Sequence, residues 1–145
     1  MSGNIVVSMF DDKFIEYAIR MYRSYRFYDR ETPLYACSIN LSNVNIRRLK
    51  LLDVKILKSK TGFIPKHLCM CDLTLEDYLD NVEWDKLLWI DADTIILRPV
   101  KHLFKMNYDF IGHGGDVEIG HFNFSGERSW IERRVENEIL IETNK

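Results

Sequence analysis

Between Leu87 and Leu97 the chain is at its most apolar, and two carboxylates, Asp91 and Asp93, interrupt that stretch. An apolar run of this length belongs in a core, but an ionised carboxylate buried without a partner is too costly to keep. Lys86-Leu87-Leu88-Trp89-Ile90 therefore reads as a buried strand, and Asp91 and Asp93 must reach solvent, as acids that cap or end a strand do, find cations, or hold a metal. If the chain stays extended beyond Ile90, residues two apart point to one side, and both carboxylates face the same ligand. Two hard oxygen donors suit Mg²⁺ or Mn²⁺, leaving positions for water and phosphate oxygens. Ala92 between them is small enough to let a ligand approach the backbone.

The rest of the chain fits a strand–helix alternation around that segment. Ile5 to Phe10 is a short β-branched and apolar run, followed by Asp11 and Asp12, either of which suits a helix N-cap. Phe14, Tyr17, Ala18, Met21, Tyr25 and Tyr28 recur at helical spacing, with Arg20, Arg23, Arg26 and Arg30 mostly between them. Thr32-Pro33 ends that helix and Leu34 to Ile39 reads as a second strand. Ser42 opens a short helix with Ile46, Leu49 and Leu52 on one face, and Val54 to Leu57 is a third strand. A helix follows Pro65, with Leu68, Cys71, Leu75, Tyr78, Leu79 and Val82 at spacings of three and four. The fourth strand is expected to run from Lys86 through the acids to Leu97, stopped by Pro99. Leu103 and Phe104 fall in a helical turn, and Tyr108 to Ile111 reads as a further strand. From Trp130 to Lys145 the chain is polar, with Trp130, Ile131, Val135 and Ile139 forming one weak amphipathic stripe. Such alternation implies βαβ units and a largely parallel sheet, which binds ligands at the carboxyl ends of its strands. At 145 residues and without repeats or linkers, a single domain over 1–145 is expected.

Composition removes several classes. A net charge of −2 gives no electrostatic footprint for nucleic acid, so no nucleic-acid partner is expected. The arginines of the first helix and Arg47, Arg48, Lys50, Lys55, Lys58 and Lys60 read as a solvated face rather than a nucleic-acid stripe. No apolar run approaches the length of a membrane span, and no signal peptide is visible, which points to a cytoplasmic protein. Cys37, Cys69 and Cys71 are too few for a disulfide framework and suit a reducing compartment. Cys69-Met70-Cys71 is better read as helix packing than as a metal pair. Gly112 to His121 holds His113, Asp116, Glu118 and His121, but the spacing matches no strong zinc pattern, and a flexible loop is the expectation.

With twelve Asp residues, about one D-x-D arises by chance, so the tripeptide is informative only in context. That context, Lys86 through Phe104 with Asp91-Ala92-Asp93-Thr94 and Leu103-Phe104, resembles the D-x-D region of GT-A glycosyltransferases, closest to the glycogenin and galactosyltransferase-like group of family 8. Ile5 to Phe10 with Asp12, Phe14, Ala18 and Ser24-Tyr25-Arg26 resembles that family's first strand and helix, and Pro65 to Cys69 resembles its lysine-bearing segment.

The resemblance implies an α/β GT-A fold with a mostly parallel central sheet flanked by helices, a UDP-sugar donor, and Mn²⁺ or Mg²⁺. By position, Asp93 is implied as a metal ligand and Asp91 as a contact to metal and ribose, with the Ala92 backbone beside the ribose. Val7, Ser8 and Met9 would line the uracil and ribose pocket. Phe14 stands where the family often has a uracil-stacking tyrosine, keeping the ring without the hydroxyl. Lys66 would meet the diphosphate or the donor sugar. Phe122-Asn123-Phe124-Ser125-Gly126 resembles the family's Phe-Asn-Ser-Gly with one extra Phe, which puts Asn123, Ser125 and Gly126 beside the donor sugar. Asp116 is a further candidate there, without motif support. Family 8 enzymes retain anomeric configuration, yet no side chain here presents itself as a nucleophile. The family's third metal ligand, a distant histidine, is matched by none of His102, His113 or His121. The expectation is a donor-binding half with the acceptor half short or missing, and an unknown acceptor. A sugar-nucleotide-synthesising nucleotidyltransferase would want a Gly-rich, basic loop where Phe10-Asp11-Asp12-Lys13 stands. A non-catalytic nucleotide-sugar-binding module remains the alternative.

Overall fold

The structure, a computed structural model, describes residues 3–62, 75–107, 112–114, 118–121 and 131–134. They belong to two compact units, Met1–Lys105 and Met106–Lys145.

The first unit is built on a four-stranded sheet. Its strands are β1 (Asn4–Phe10), β2 (Leu34–Ser38), β3 (Val54–Leu57) and β4 (Lys86–Trp89). They lie in the order β3-β2-β1-β4 and every pair is parallel. Strand β1 is paired on both edges, which is why Ile5 to Phe10 is apolar almost without interruption and fully buried. Successive side chains of β1 feed two separate cores. Val6 and Phe10 pack with helix α1 (Ile15–Tyr28) and helix α2 (Asn43–Lys50) through Ala18, Met21, Tyr22, Tyr25 and Leu49. Ile5, Val7 and Met9 pack on the other face with Tyr78 and Leu79 of helix α3 (Leu75–Leu79). Helices therefore cover both faces.

The expected elements are largely found, with three differences. In α1 the buried stripe is Ile15, Ala18, Ile19, Met21, Tyr22 and Tyr25, while Tyr17 and Tyr28 are exposed. Strand β4 ends at Trp89 instead of running to Leu97, and Asp91 to Thr94 is a turn closed by the Thr94 amide donating to the Asp91 carbonyl at 3.1 Å. The chain is then held against α1 rather than in the sheet: the Ile96 amide donates to Ser24 Oγ at 2.9 Å, and Tyr28 Oη donates to the Leu97 carbonyl at 2.8 Å. The third difference lies in the second unit, where β5 (Gly112–Gly114), β6 (Glu118–His121) and β7 (Ile131–Arg134) form an antiparallel sheet in that order. Gly112–Gly114 and Glu118–His121 thus pair as strands where a loop was expected, and Ile131–Arg134 of the expected stripe is a strand. Tyr108 to Ile111 lies outside the described residues.

Local chemistry sets the boundaries. Ser42 caps α2 by accepting from the Asn45 amide at 3.3 Å, and Asp53 takes a left-handed conformation (φ 57°) where α2 gives way to β3. Among the described residues no helix is long and apolar enough to cross a membrane.

Candidate functional site

The strand order reverses direction at β1: β2 and β3 lie to one side of it and β4 to the other. In a parallel sheet such a switch leaves a crevice outside the carboxyl ends of the two strands that flank it, because the following loops diverge. Here those ends are Phe10 of β1 and Trp89 of β4. The register pairs Val7 with Trp89, and the Ile90 amide donates to the Val7 carbonyl at 3.0 Å. The segment Asp91–Asp93 therefore begins just past that pairing, beside the last residues of β1.

Burial alternates through the acids even though the backbone turns. Ile90 and Ala92 are buried in the first core, whereas Asp91 and Asp93 are exposed. Both carboxylates thus stand on the solvent side, by way of a turn rather than the extended chain expected from sequence. Asp91 Oδ1 accepts from the indole Nε1 of Trp89 at 3.1 Å. That bond orients one carboxylate oxygen from a half-buried side chain of the second core. Neither Asp91 nor Asp93 makes an ion pair among the described residues. Two accessible carboxylates without a cation partner suit a hard divalent ion. Among the described residues no group of three or more His, Cys, Asp or Glu is set to hold a metal, so these two would need oxygens from elsewhere.

The β1 side of the switch point differs in character. Val7, Ser8 and Met9 are buried, with Val7 and Met9 committed to the second core. What β1 offers a ligand is therefore the backbone at its end and the turn that follows, a 3-10 turn at Asp12–Phe14 capped by Asp11. Ser8 Oγ is buried without a hydrogen-bond partner among the described residues, an expensive state for a hydroxyl. Phe14 closes the turn half-buried, its ring 6.0 Å from that of Tyr17 and packed on the first core. Asp12 ties the turn to α2, accepting from the Ser42 amide at 3.0 Å and Asn45 Nδ2 at 2.8 Å. The Asn45 and Ser42 bonds hold its carboxyl below the usual range.

On the far side, Asp77 of α3 accepts from Ser59 Oγ and from the Thr61 amide at 2.9 Å, fixing the segment that leads toward Lys66. Lys66 itself, Cys69 and Cys71, and the donor-sugar candidates Asn123, Ser125, Gly126 and Asp116 lie outside the described residues. His102 sits exposed on a 3-10 turn at Lys101–Lys105, and His113 and His121 lie on β5 and β6. The structure thus places Val7, Ser8 and Met9, all buried, on β1, Phe14 in the turn that follows it, and Asp91, Ala92 and Asp93 just past β4, the strand paired with β1. Sequence reasoning missed what Trp89 and Asp12 do there. An indole two residues before an acid at a strand end, and an acid following β1, were the signals that could have found them.

By sequence, no family model and no curated protein matches the chain. By structure, it is similar to the galactosyltransferase LgtC, both in complex with donor and acceptor sugar analogues and as an active-site mutant. Each superposition has a TM-score of 0.56 at 16% identity, covering 72% of this chain and 42% of LgtC. It is also similar to the apo structure of the bifunctional glycosyltransferase WbbM, with a TM-score of 0.55 at 19% identity over 81% of this chain and 22% of that one. The chain therefore spans less than half the length of either. The fold is the GT-A-like fold of these glycosyltransferases, with its mostly parallel sheet between helices.

Proposed function

We propose that this chain binds a nucleotide-sugar, with a UDP-sugar as the preferred donor, and is the donor-binding part of a metal-dependent, retaining glycosyltransferase acting on an unknown acceptor. The observation that carries the proposal is the placement of Asp91 and Asp93, exposed and without a cation partner among the described residues, at the carboxyl end of β4 beside β1.

In glycosyl transfer the bond from the anomeric carbon to the diphosphate oxygen breaks, and the leaving diphosphate gains negative charge. Asp91 and Asp93 would hold Mn²⁺ or Mg²⁺, which when bound would neutralise that charge as a Lewis acid. The protein's own contributions lie around it. Trp89 fixes one oxygen of Asp91. The Asp11–Phe14 turn, held to α2 through Asp12, offers an aromatic ring and backbone at the place where a nucleobase would rest. Lys66 is assigned to the diphosphate as a second cation, and Asn123, Ser125 and Gly126 to the donor sugar. Groups fixed in advance where charge develops are commonly the largest single contribution to catalysis of this kind. No catalytic base or nucleophile is assigned.

The test is calorimetric titration of UDP in the presence of Mn²⁺ and then of EDTA. Wild type is expected to bind UDP only with the metal, and Asp93→Asn and Asp91→Asn to lose at least tenfold in affinity. Unchanged Mn²⁺-dependent binding in Asp93→Asn would end the metal assignment. Metal-dependent UDP binding with neither hydrolysis nor transfer of any UDP-sugar would make the chain a nucleotide-sugar-binding module.

A further inference from the structure

The segment after the acids is docked on α1 in a way that leaves apolar side chains outside. Ser24 Oγ and Tyr28 Oη hold the backbone at Ile96 and Leu97. Ile96 turns into the first core, and its neighbours Ile95 and Leu97 are left 58% and 80% exposed. On α1 the Phe27 ring, 76% exposed, meets the Tyr28 ring edge-on at 4.9 Å. Phe27, Tyr28, Ile95 and Leu97 are thereby joined into one apolar surface, with Tyr17 further along the helix. Contiguous exposure of this kind marks a surface that is covered in use.

The charge on this surface is net positive. Arg20 and Arg23 share the outer face of α1 with Phe27, at helical spacings of three, four and seven. Arg30 follows the helix and Arg98 follows Leu97, and all four arginines are exposed. Of the acids nearby, Glu16 shares this face of α1 and interacts with Arg20 and Arg23, but Arg48 binds it at 2.8 Å and leaves the face net positive; Glu31 is bound by Lys101 at 3.3 Å, and Asp93 belongs to the site already described. The chain as a whole carries −2, so this positive surface is a local departure.

We propose that the outer face of α1 and the segment from Ile95 to Arg98 form a docking surface for an anionic phospholipid bilayer, with Phe27 and Leu97 entering the acyl boundary and the arginines meeting lipid phosphates. Apolar anchors ringed by arginine satisfy both halves of such an interface. A second copy of the chain would set arginine against arginine, and a nucleic acid would leave Ile95 and Leu97 without a partner. The surface adjoins the Asp91–Asp93 turn in sequence, so docking would bring that turn close to the lipid headgroups. None of these residues is needed to hold the donor, so lipid docking and donor binding can fail separately.

Flotation of the protein with vesicles of phosphatidylcholine, with and without phosphatidylglycerol, tests it. Wild type is expected to float with the phosphatidylglycerol vesicles and not with phosphatidylcholine alone. The double variant Phe27→Ser/Leu97→Ser should lose flotation, and Arg20→Gln/Arg23→Gln should weaken it by roughly fivefold per arginine. All altered residues are exposed, so circular dichroism should be unchanged in both variants. Failure of wild type to float, or flotation that survives both pairs of substitutions, overturns the proposal. So does a wild-type dimer in sedimentation velocity without lipid that Phe27→Ser/Leu97→Ser converts to monomer, because the surface would then belong to a second copy.

Discussion

Trp89 and Asp91 form the contact on which the proposed donor site most depends. The indole N–H gives Asp91 a fixed partner for one oxygen and leaves the other for a ligand. A hydrogen bond to an ionised group contributes about 1.5–3 kcal/mol when shielded and less in water, so Trp89→Phe should weaken Mn²⁺-dependent UDP binding by roughly fivefold. Calorimetry would read that change, while the melting temperature should move little because the ring still fills its place in the second core. At this scale the acids themselves were plain in the sequence: two carboxylates in the most apolar stretch have few places to go. Their backbone was not. The β-branched Thr94-Ile95-Ile96 reads as strand by propensity, but hydrogen bonds from Ser24 and Tyr28, some seventy residues earlier, draw the chain onto a helix instead. No local pattern carries that information.

Among the elements, the connection from α1 to β2 is organised by one buried carboxylate. Asp29 Oδ1 accepts from the Glu31 and Thr32 amides at 3.0 and 3.1 Å, and Oδ2 accepts from Tyr25 Oη at 3.0 Å and from Thr32 Oγ1. Burial pushes its pKa up, but the bonds from Thr32, Glu31 and Tyr25 outweigh burial and bring it down to about 2. Because the folded pKa lies below the unfolded value, Asp29 stabilises the fold above about pH 4, and this contribution is lost as pH falls from about 4 to 2. Its size is about 2 kcal/mol. Asp29→Asn should therefore be less stable than wild type by about that amount near neutral pH, with the gap narrowing below pH 4 in urea melts monitored by circular dichroism. The sequence marked Thr32-Pro33 as the helix end. It did not mark Asp29, since a helix-terminal Asp is as often solvated as engaged. The phase of α1 was misread for a related reason. Tyr17 and Tyr28 extend the aromatic spacing, but Ile15, Ile19 and Tyr22 face the sheet, and tyrosine's hydroxyl makes it equally at home on either side.

At the scale of the whole molecule, strand–helix alternation was enough to expect a parallel sheet covered on both faces, and that is what the first unit contains. The order of its strands was not legible, because every βαβ unit looks alike until its neighbours are known. Nor was the antiparallel β5-β6-β7 sheet, whose strands of three and four residues are too short to show a period. Both cores lie within Met1–Lys105. A fragment ending at Asn107 should consequently keep a cooperative thermal transition and Mn²⁺-dependent binding of UDP. It should no longer distinguish UDP-sugars from UDP, since Asn123, Ser125 and Gly126 are gone. Calorimetry of the fragment with UDP and with UDP-sugars checks this, and loss of UDP binding itself would mean that the second unit completes the nucleotide site.

The place of β4 beside β1 has a consequence for how the chain is made. Strands β1, β2 and β3 pair with close neighbours in sequence, whereas Asn4 waits for Lys86. Closing so large a loop is slow compared with the local pairings. During synthesis, β1 therefore stands with one edge open until the ribosome has delivered β4 well clear of its exit tunnel, and the side chains of that strand are apolar except for Asn4 and Ser8. The strand that brings the acids is also the one that seals this edge, so a nascent chain stalled before Lys86 would be both without its acids and prone to stick.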